Sequence, residues 1–302
     1  MDNLSAKRFY DKTPFYNGVF FLLLQVAACG AGAAAENKAI FGADDRQDVY
    51  QVGDRMFLEK QRSVAAMISV DRINGTQLSG ANLSQRVCAG QKFADQVMIS
   101  KCTGFLVRED LIVTAAHCVV TAEDCDNFKW VFGFQAERAN QNKYTVAAED
   151  IYSCVQVVER AYGGFGNVDH AVVQLDRPVR NRPPLAFRTE GRIDGSAGLA
   201  LIGHPSGLPA KIVLAGGVLD NSNPDFFASD LDTFDGNSGS PVFDRKTGVV
   251  EGIVVRGHAD YIRPPGQTCK VPKVCTVGAC NTSDAGRITN VKLLHPAAIA
   301  GS

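Results

Sequence analysis

From Val64 onward, short apolar or β-branched runs alternate with turn residues. The runs VAAMISV (64–70), TGFLVR (103–108), LIVTA (111–115), KWVFGFQ (129–135) and AVVQL (171–175) predict strands. So do GLALIG (198–203), KIVLAGGV (211–218), PVFD (241–244), VVEGIVV (249–255) and RITNVK (287–292). Asp-Gly, Asn-Gly and Pro-Ser-Gly turns separate many of them. No long amphipathic helix pattern lies between the runs, which disfavours a βαβ sheet and predicts an all-β sandwich or barrels. One short helix is expected in GDRMFLEKQRS (53–63), capped by Asp54. The Pro-rich stretch DRPVRNRPP (176–184) splits the strands into two groups, a boundary between two β-domains. The stretch from Arg263 to Asp284 is loop-rich and carries Cys269, Cys275 and Cys280.

Ahead of this pattern lies a different one. Lys7, Arg8 and Lys12 precede the apolar run VFFLLLQVAA (19–28), which has the length of a signal-peptide core and is short for a membrane span. The run ends Val26-Ala27-Ala28-Cys29-Gly30, similar to a bacterial lipobox in which Cys29 becomes the acylated first residue. The alternative is a plain signal cut after Ala33 or Ala35. The organisation expected is a signal over 1–35, an extension or propeptide over 36–60, a first β-domain over 61–180 and a second over 181–302.

Composition narrows the partners. Thirty-one basic residues against 32 acidic ones leave a formal net charge of −1, so there is no cationic excess to neutralise a phosphate backbone. Nine cysteines without CxxC or HExxH spacing argue for disulfides and an oxidising compartment, not for a metal site. Loss or acylation of Cys29 leaves an even number, so parity supports export by either route. In DLDTFDGN (230–237), Phe234 breaks calcium-loop spacing. No cofactor or metal is expected, and nothing signals oligomerisation, so a monomer is expected. The localisation expected is secreted, periplasmic or cell-envelope, with membrane contact only through lipid at Cys29.

Three segments carry chemistry: CTGFLVREDLIVTAAHC (102–118) with His117, GNVDHAVVQLDRPV (166–179) with Asp169, and DTFDGNSGSPVF (232–243) with Ser238. A serine hydroxyl is a weak nucleophile until a histidine takes its proton and a carboxylate fixes that histidine's tautomer. Glycines around Ser238 let the backbone bend so that the Gly236 and Ser238 N–H groups converge on one point, where they would bind an oxyanion. Asp176 competes with Asp169 but reads as a turn residue before Arg177-Pro178. His170, His204, His258 and His295 compete with His117 and read as structural or surface positions.

TAAHC, the Asp-led strand at Asp169 and GNSGSP, in the order His, Asp, Ser, resemble the motifs of chymotrypsin-fold serine proteases. GNSGSPVF is closest to the bacterial trypsin-like and glutamyl endopeptidase branch, and FGADDRQDVY (41–50) and IGHPSGLPAKI (202–212) are similar to segments of bacterial members. The resemblance implies two six-stranded antiparallel β-barrels with the active site in the cleft between them, a catalytic triad of His117, Asp169 and Ser238, and polypeptide substrates. It also implies a Cys102–Cys118 disulfide around the histidine turn, with Cys125–Cys154 expected inside the first barrel. The partners of Cys88, Cys269, Cys275 and Cys280 stay open.

Asp232 stands where trypsin has its pocket aspartate, and Val255, Arg256 and Gly257 stand in the strand that borders the pocket. The expectation is cleavage after Arg or Lys, with a glutamate-preferring peptidase as the alternative, because Arg256 could pair with Asp232 or attract an acidic side chain. Asn237 replaces the aspartate that digestive members place before the serine, so the oxyanion loop is expected to be held by hydrogen bonds rather than by an inserted amino terminus. Two other classes compete: a catalytically silent protease-fold binding lipoprotein, and an esterase. An α/β-hydrolase elbow is disfavoured because Asp and His precede the serine.

Overall fold

A computed structural model describes residues 40–164, 168–256, 260–276 and 282–295. The chain divides into Met1–Ala34 and Ala35–Ser302, and every described residue belongs to the second unit. The signal, Cys29, Gly257 and His258 lie outside the described residues.

Near the amino terminus lie β1 (Ile40–Phe41), β2 (Gln47–Asp48) and α1 (Arg55–Gln61). The Asp54 side chain caps α1 by accepting from the Met56 and Phe57 amides, as its sequence position predicts. Six strands then close a barrel: β3 (Val64–Ser69), β4 (Ser100–Arg108), β5 (Leu111–Thr114), β6 (Phe128–Phe132), β7 (Ile151–Tyr162) and β8 (Asp169–Leu175). Their order around the barrel is β6-β7-β8-β5-β4-β3, and all pairings are antiparallel.

Strand periodicity explains the packing. In β3, Ala65 and Met67 enter one apolar cluster while Ala66 and Ile68 enter another. In β6, Trp130 and Phe132 face the first cluster and Val131 the second. Both faces of these strands are buried, which is why their sequences read as near-continuous apolar runs.

The second half contributes β9 (Leu199–Gly203), β10 (Lys211–Val213), β11 (Val218–Asp220), β12 (Phe226–Ser229), β13 (Pro241–Asp244) and β14 (Val250–Arg256). After β15 (Val274–Cys275) comes β16 (Ser283–Arg287). These form an eight-stranded antiparallel sheet, β11-β12-β16-β14-β13-β9-β10-β2, where six strands were expected. The extra edge member is β2, from the segment read as an extension or propeptide. It pairs with β10, and the Lys211 ammonium meets the Asp48 carboxylate at 2.8 Å with both side chains buried. β1 pairs with β15 in parallel. The expected strand at 287–292 begins instead at Ser283 and turns into short 3-10 helices after Arg287.

Three disulfides are described: Cys102–Cys118, Cys125–Cys154 and Cys88–Cys269, the last joining residues 181 apart. Cys275 is also disulfide-bonded.

The chain's single tryptophan, Trp130, is buried in the cluster that also holds Phe57 of α1. Phe57 is fully buried and meets Phe243 of β13 edge-to-face, with ring centroids 5.7 Å apart. Phe57→Ala is therefore expected to cost about 3–5 kcal/mol of stability. The shift of the denaturant midpoint, followed by Trp130 fluorescence, measures it.

Candidate active site

β5 and β8 are paired, with Ala171 opposite Thr114, so the end of β5 lies beside the start of β8. His117 follows β5 on a 3-10 turn, and Asp169 opens β8. The buried Asp169 carboxylate holds the histidine at two points: Oδ2 lies 2.7 Å from His117 Nδ1, and Oδ1 accepts the His117 backbone N–H at 3.1 Å. The Arg160 guanidinium on β7 donates to the carbonyls of Ala116 and Val119, bracing the same turn. The Cys102–Cys118 disulfide closes it from the other side.

Ser238 lies on the loop between β12 and β13. With His117 and Asp169 it lines a cavity of about 290 Å³, whose remaining walls include Tyr162, Thr233, Phe234, Asp235, Val254 and Val255. Gly236 and Gly239 have φ of +92° and +87°. A Cβ on Gly236 would stand 2.4 Å from the His204 carbonyl oxygen, and one on Gly239 would stand 2.0 Å from that of Thr103. The motif therefore needs glycine at both positions, for backbone conformation and for space.

The loop's amides sort into two groups. Those of Asp235, Asn237, Gly239 and Ser240 donate to Asp260 Oδ2 and to the carbonyls of Phe234, Val254 and Asn237. The amides of Gly236 and Ser238 have no acceptor among the described residues. Two free donors beside a serine can bind a developing oxyanion.

Thr103, fully buried on β4, joins the two halves of the site, and no motif announces its role. Its amide donates to the Ser238 carbonyl at 2.8 Å, and its hydroxyl donates to the Gly236 carbonyl at 2.8 Å. The hydroxyl also accepts from the His204 amide at 3.2 Å, and the Thr103 carbonyl accepts from the Thr114 hydroxyl at 2.7 Å. Hydrogen bonds thus hold the loop on both sides of Asn237.

The remaining candidates fall elsewhere. Asp232 does not line the cavity. Its two oxygens accept the amides of Phe41 and Asp45, at 2.8 and 2.9 Å, and burial pushes its pKa up to about 7. Val255 lines the cavity, and Arg256 ends β14. His170 meets Glu159 at 2.9 Å, on the face of β8 away from His117. His204 is buried, hydrogen-bonded to the Leu208 carbonyl and stacked on Phe134, and burial lowers its pKa to about 4. His295 bonds the Thr289 carbonyl, and Asp176 accepts from the Ser153 amide. Tyr162, at the tip of the long β7, enters the cavity wall without any motif to announce it. Cys102, His117 and Cys118 cluster closely enough to suggest a metal, but both sulfurs are bound in the disulfide.

A serine, a histidine held by a carboxylate and two free amides around one cavity are the kinds of group that serine-hydrolase chemistry needs. The trypsin-like peptidase domain profile matches residues 102–253, half of the chain, and the chain belongs to that family. It is a trypsin-like serine endopeptidase. No curated protein sequence matches it. Among solved structures, it is similar to the inactive form of the Rv3671c protease of M. tuberculosis, at 17% identity and a TM-score of 0.46, covering 80% of this chain and 93% of that one. It is also similar to a Glu endopeptidase in complex with MPD, at 14% identity and a TM-score of 0.49, covering 86% and 96%. The VesB protease of Vibrio cholerae matches at 14% identity and a TM-score of 0.48, covering 76% and 61%.

Two predictions follow from these contacts. Thr103→Val keeps the shape but removes the hydroxyl that anchors the Gly236 carbonyl. It is expected to lower kcat about tenfold to a hundredfold, with KM little changed, and Thr103→Ser to restore most of the loss. Steady-state kinetics on one peptide substrate reads both.

The second concerns Asp260. Burial, aided by the neighbouring Asp235, raises its pKa to about 8, and Oδ1 has no partner while Oδ2 accepts the Asp235 amide. A carboxyl with a raised folded-state pKa binds its proton more tightly folded than unfolded. Its stabilisation is complete below the ordinary carboxylate range and is lost as pH rises through about 8. Asp260→Asn keeps an acceptor for the amide, so its Tm should exceed that of the wild type at about pH 9, and the gap should close as pH falls toward about 4.

Proposed function

We propose that His117, Asp169 and Ser238 form the catalytic triad of this peptidase, with the Gly236 and Ser238 amides as its oxyanion hole. The carrying observation is the two-point hold of Asp169 on His117, which leaves Nε2 as the ring nitrogen available to a substrate-side proton. Nδ1 bonded to the carboxylate must carry the proton in the neutral imidazole, so Nε2 is the basic nitrogen. It takes the Ser238 proton as Oγ attacks the scissile carbonyl, and Asp169 stabilises the resulting imidazolium. The carbonyl oxygen becomes an oxyanion and accepts from the two free amides. The imidazolium returns its proton to the leaving amine, which departs with the C-terminal part of the substrate. Water, activated by the same nitrogen, then releases the acyl group from Ser238.

Cleavage after Arg or Lys is the side-chain preference we assign to the cavity beside Ser238. Besides Asp169, which holds His117, the carboxylate lining that cavity is Asp235, since the oxygens of Asp232 are engaged by two backbone amides.

The disulfides suit an extracellular or periplasmic location, and among the described residues no helix is long and apolar enough to cross a membrane. Export through the signal at 1–35, with lipidation at Cys29 or a plain cut, remains part of the proposed reading.

The test is labelling with a serine-directed phosphonate, with Ser238→Ala as control. Labelling at Ser238 is expected, and the variant should lose about six decades of kcat, as in a comparable triad. Persistent hydrolysis by Ser238→Ala ends the assignment. A peptide-library digest checks the preference: cuts after Arg or Lys support it, and cuts after Glu overturn it.

A further inference from the structure

A second cavity, about 750 Å³, adjoins the nucleophile loop. It shares only Asp235 with the cavity that holds Ser238, so the loop bearing Gly236 is the ridge between them. A substrate whose scissile carbonyl points at the Gly236 and Ser238 amides places the side chain before the bond in the first cavity. The chain after the bond must then pass over the ridge toward the second.

This second cavity is cationic. Arg86, Lys101, Arg263 and Lys270 line it, against the carboxyls of Asp235 and Asp260. Lys101 is engaged by Asp124 at 3.1 Å, whereas Arg86, Arg263 and Lys270 have no ion pair among the described residues. Of the two carboxyls, Asp260 is held in its protonated form near neutrality by burial, so Asp235 is the charge that opposes the cations.

The walls are pinned by contacts that span the chain. The Cys88–Cys269 disulfide, a parallel bridge of Val87 to Lys270 and the hydrogen bond from the Cys88 amide to the Lys270 carbonyl join the segments that carry Arg86 and Lys270, and both side chains line the cavity. On the facing wall, the Tyr261 hydroxyl bonds the Ser206 hydroxyl at 2.6 Å.

We propose that this cavity receives the substrate residues that follow the scissile bond, and that Arg86, Arg263 and Lys270 select an acidic side chain among them. The inference rests on the triad reading of Ser238 and concerns the leaving-group side of that same site. Backbone contacts across the groove hold the cations together, so their field adds at one place, although each side chain is exposed and screened by salt.

The test uses the full chain and quenched fluorescent peptides that are identical up to the scissile bond. Asp, Asn or Lys is placed in turn at each of the first few positions after it. At low salt the wild type is expected to show kcat/KM about fivefold or more higher for Asp than for Asn at one position, with Lys lowest and the gap shrinking as salt rises. The combined Arg86→Gln, Arg263→Gln and Lys270→Gln variant should bring the Asp-to-Asn ratio close to one, and each single variant should lower it in part. Equal rates on Asp and Asn peptides by the wild type overturn the proposal, as does an intact preference in the folded triple variant. A short ester with nothing beyond the scissile bond separates the two readings. Ser238-dependent turnover of that ester with a flat peptide panel overturns the subsite alone. No Ser238-dependent turnover of any substrate overturns the triad reading and the subsite with it.

Discussion

The nucleophile loop and the histidine turn come from opposite halves of the chain, and one buried threonine on β4 holds them in register. The Thr103 amide and hydroxyl bond the carbonyls of Ser238 and Gly236, and its own carbonyl bonds Thr114 at the end of β5, three residues before His117. Thr103, Thr114 and Gly236 are buried, so losing the Thr103 hydroxyl leaves the Gly236 carbonyl without that partner. The positions of the serine, the two free amides and the imidazole are therefore one constraint, fixed by contact between the barrel and the second sheet.

Behind the cleft, the amino-terminal segment is built into the second half. β2 extends the sheet, Lys211 and Asp48 pair in its interior, and Asp232 is capped by the amides of Phe41 and Asp45. The Arg46 guanidinium lies 3.9 Å from the Phe234 ring centre, beside the cavity wall, and is paired with Asp44. Burial raises the pKa of Asp44, but the hydrogen bonds and charge of Arg46 outweigh it and leave the carboxyl below its ordinary range. Buried Asp232 and Asp260, with raised pKa values, make the rear of the site most stable when they are protonated.

The two cavities differ in what their walls offer a substrate. The one at Ser238 is shaped by Phe234, Val254 and Val255 with a single exposed carboxylate at Asp235, while the one beyond Gly236 is ringed by cations. The Cys88–Cys269 disulfide and the bridge of Val87 to Lys270 join the loop-rich tail to the first half along this second cavity.

The sequence by itself determined the all-β class and most barrel strands, and it marked the three segments that carry the proposed triad, because period-2 burial and the needs of a serine site leave local marks: apolar runs, glycines beside Ser238, an aspartate opening a strand. β7 was missed. It is long, bulged and held by its ladder to β8, and only Tyr152 of its twelve residues is buried, so its apolar pattern is weak. β16 was missed because Ser-Asp-Ala-Gly-Arg has no apolar period, and its partners β12 and β14 impose the extended form. Only the tertiary structure decided the anchoring role of Thr103, the eighth strand contributed by β2, the turning of Asp232 away from the cavity and the pairing of Cys88 with Cys269. Each of these depends on which distant backbone amide, carbonyl or thiol arrives next to the residue, and separation along the chain does not encode that arrival.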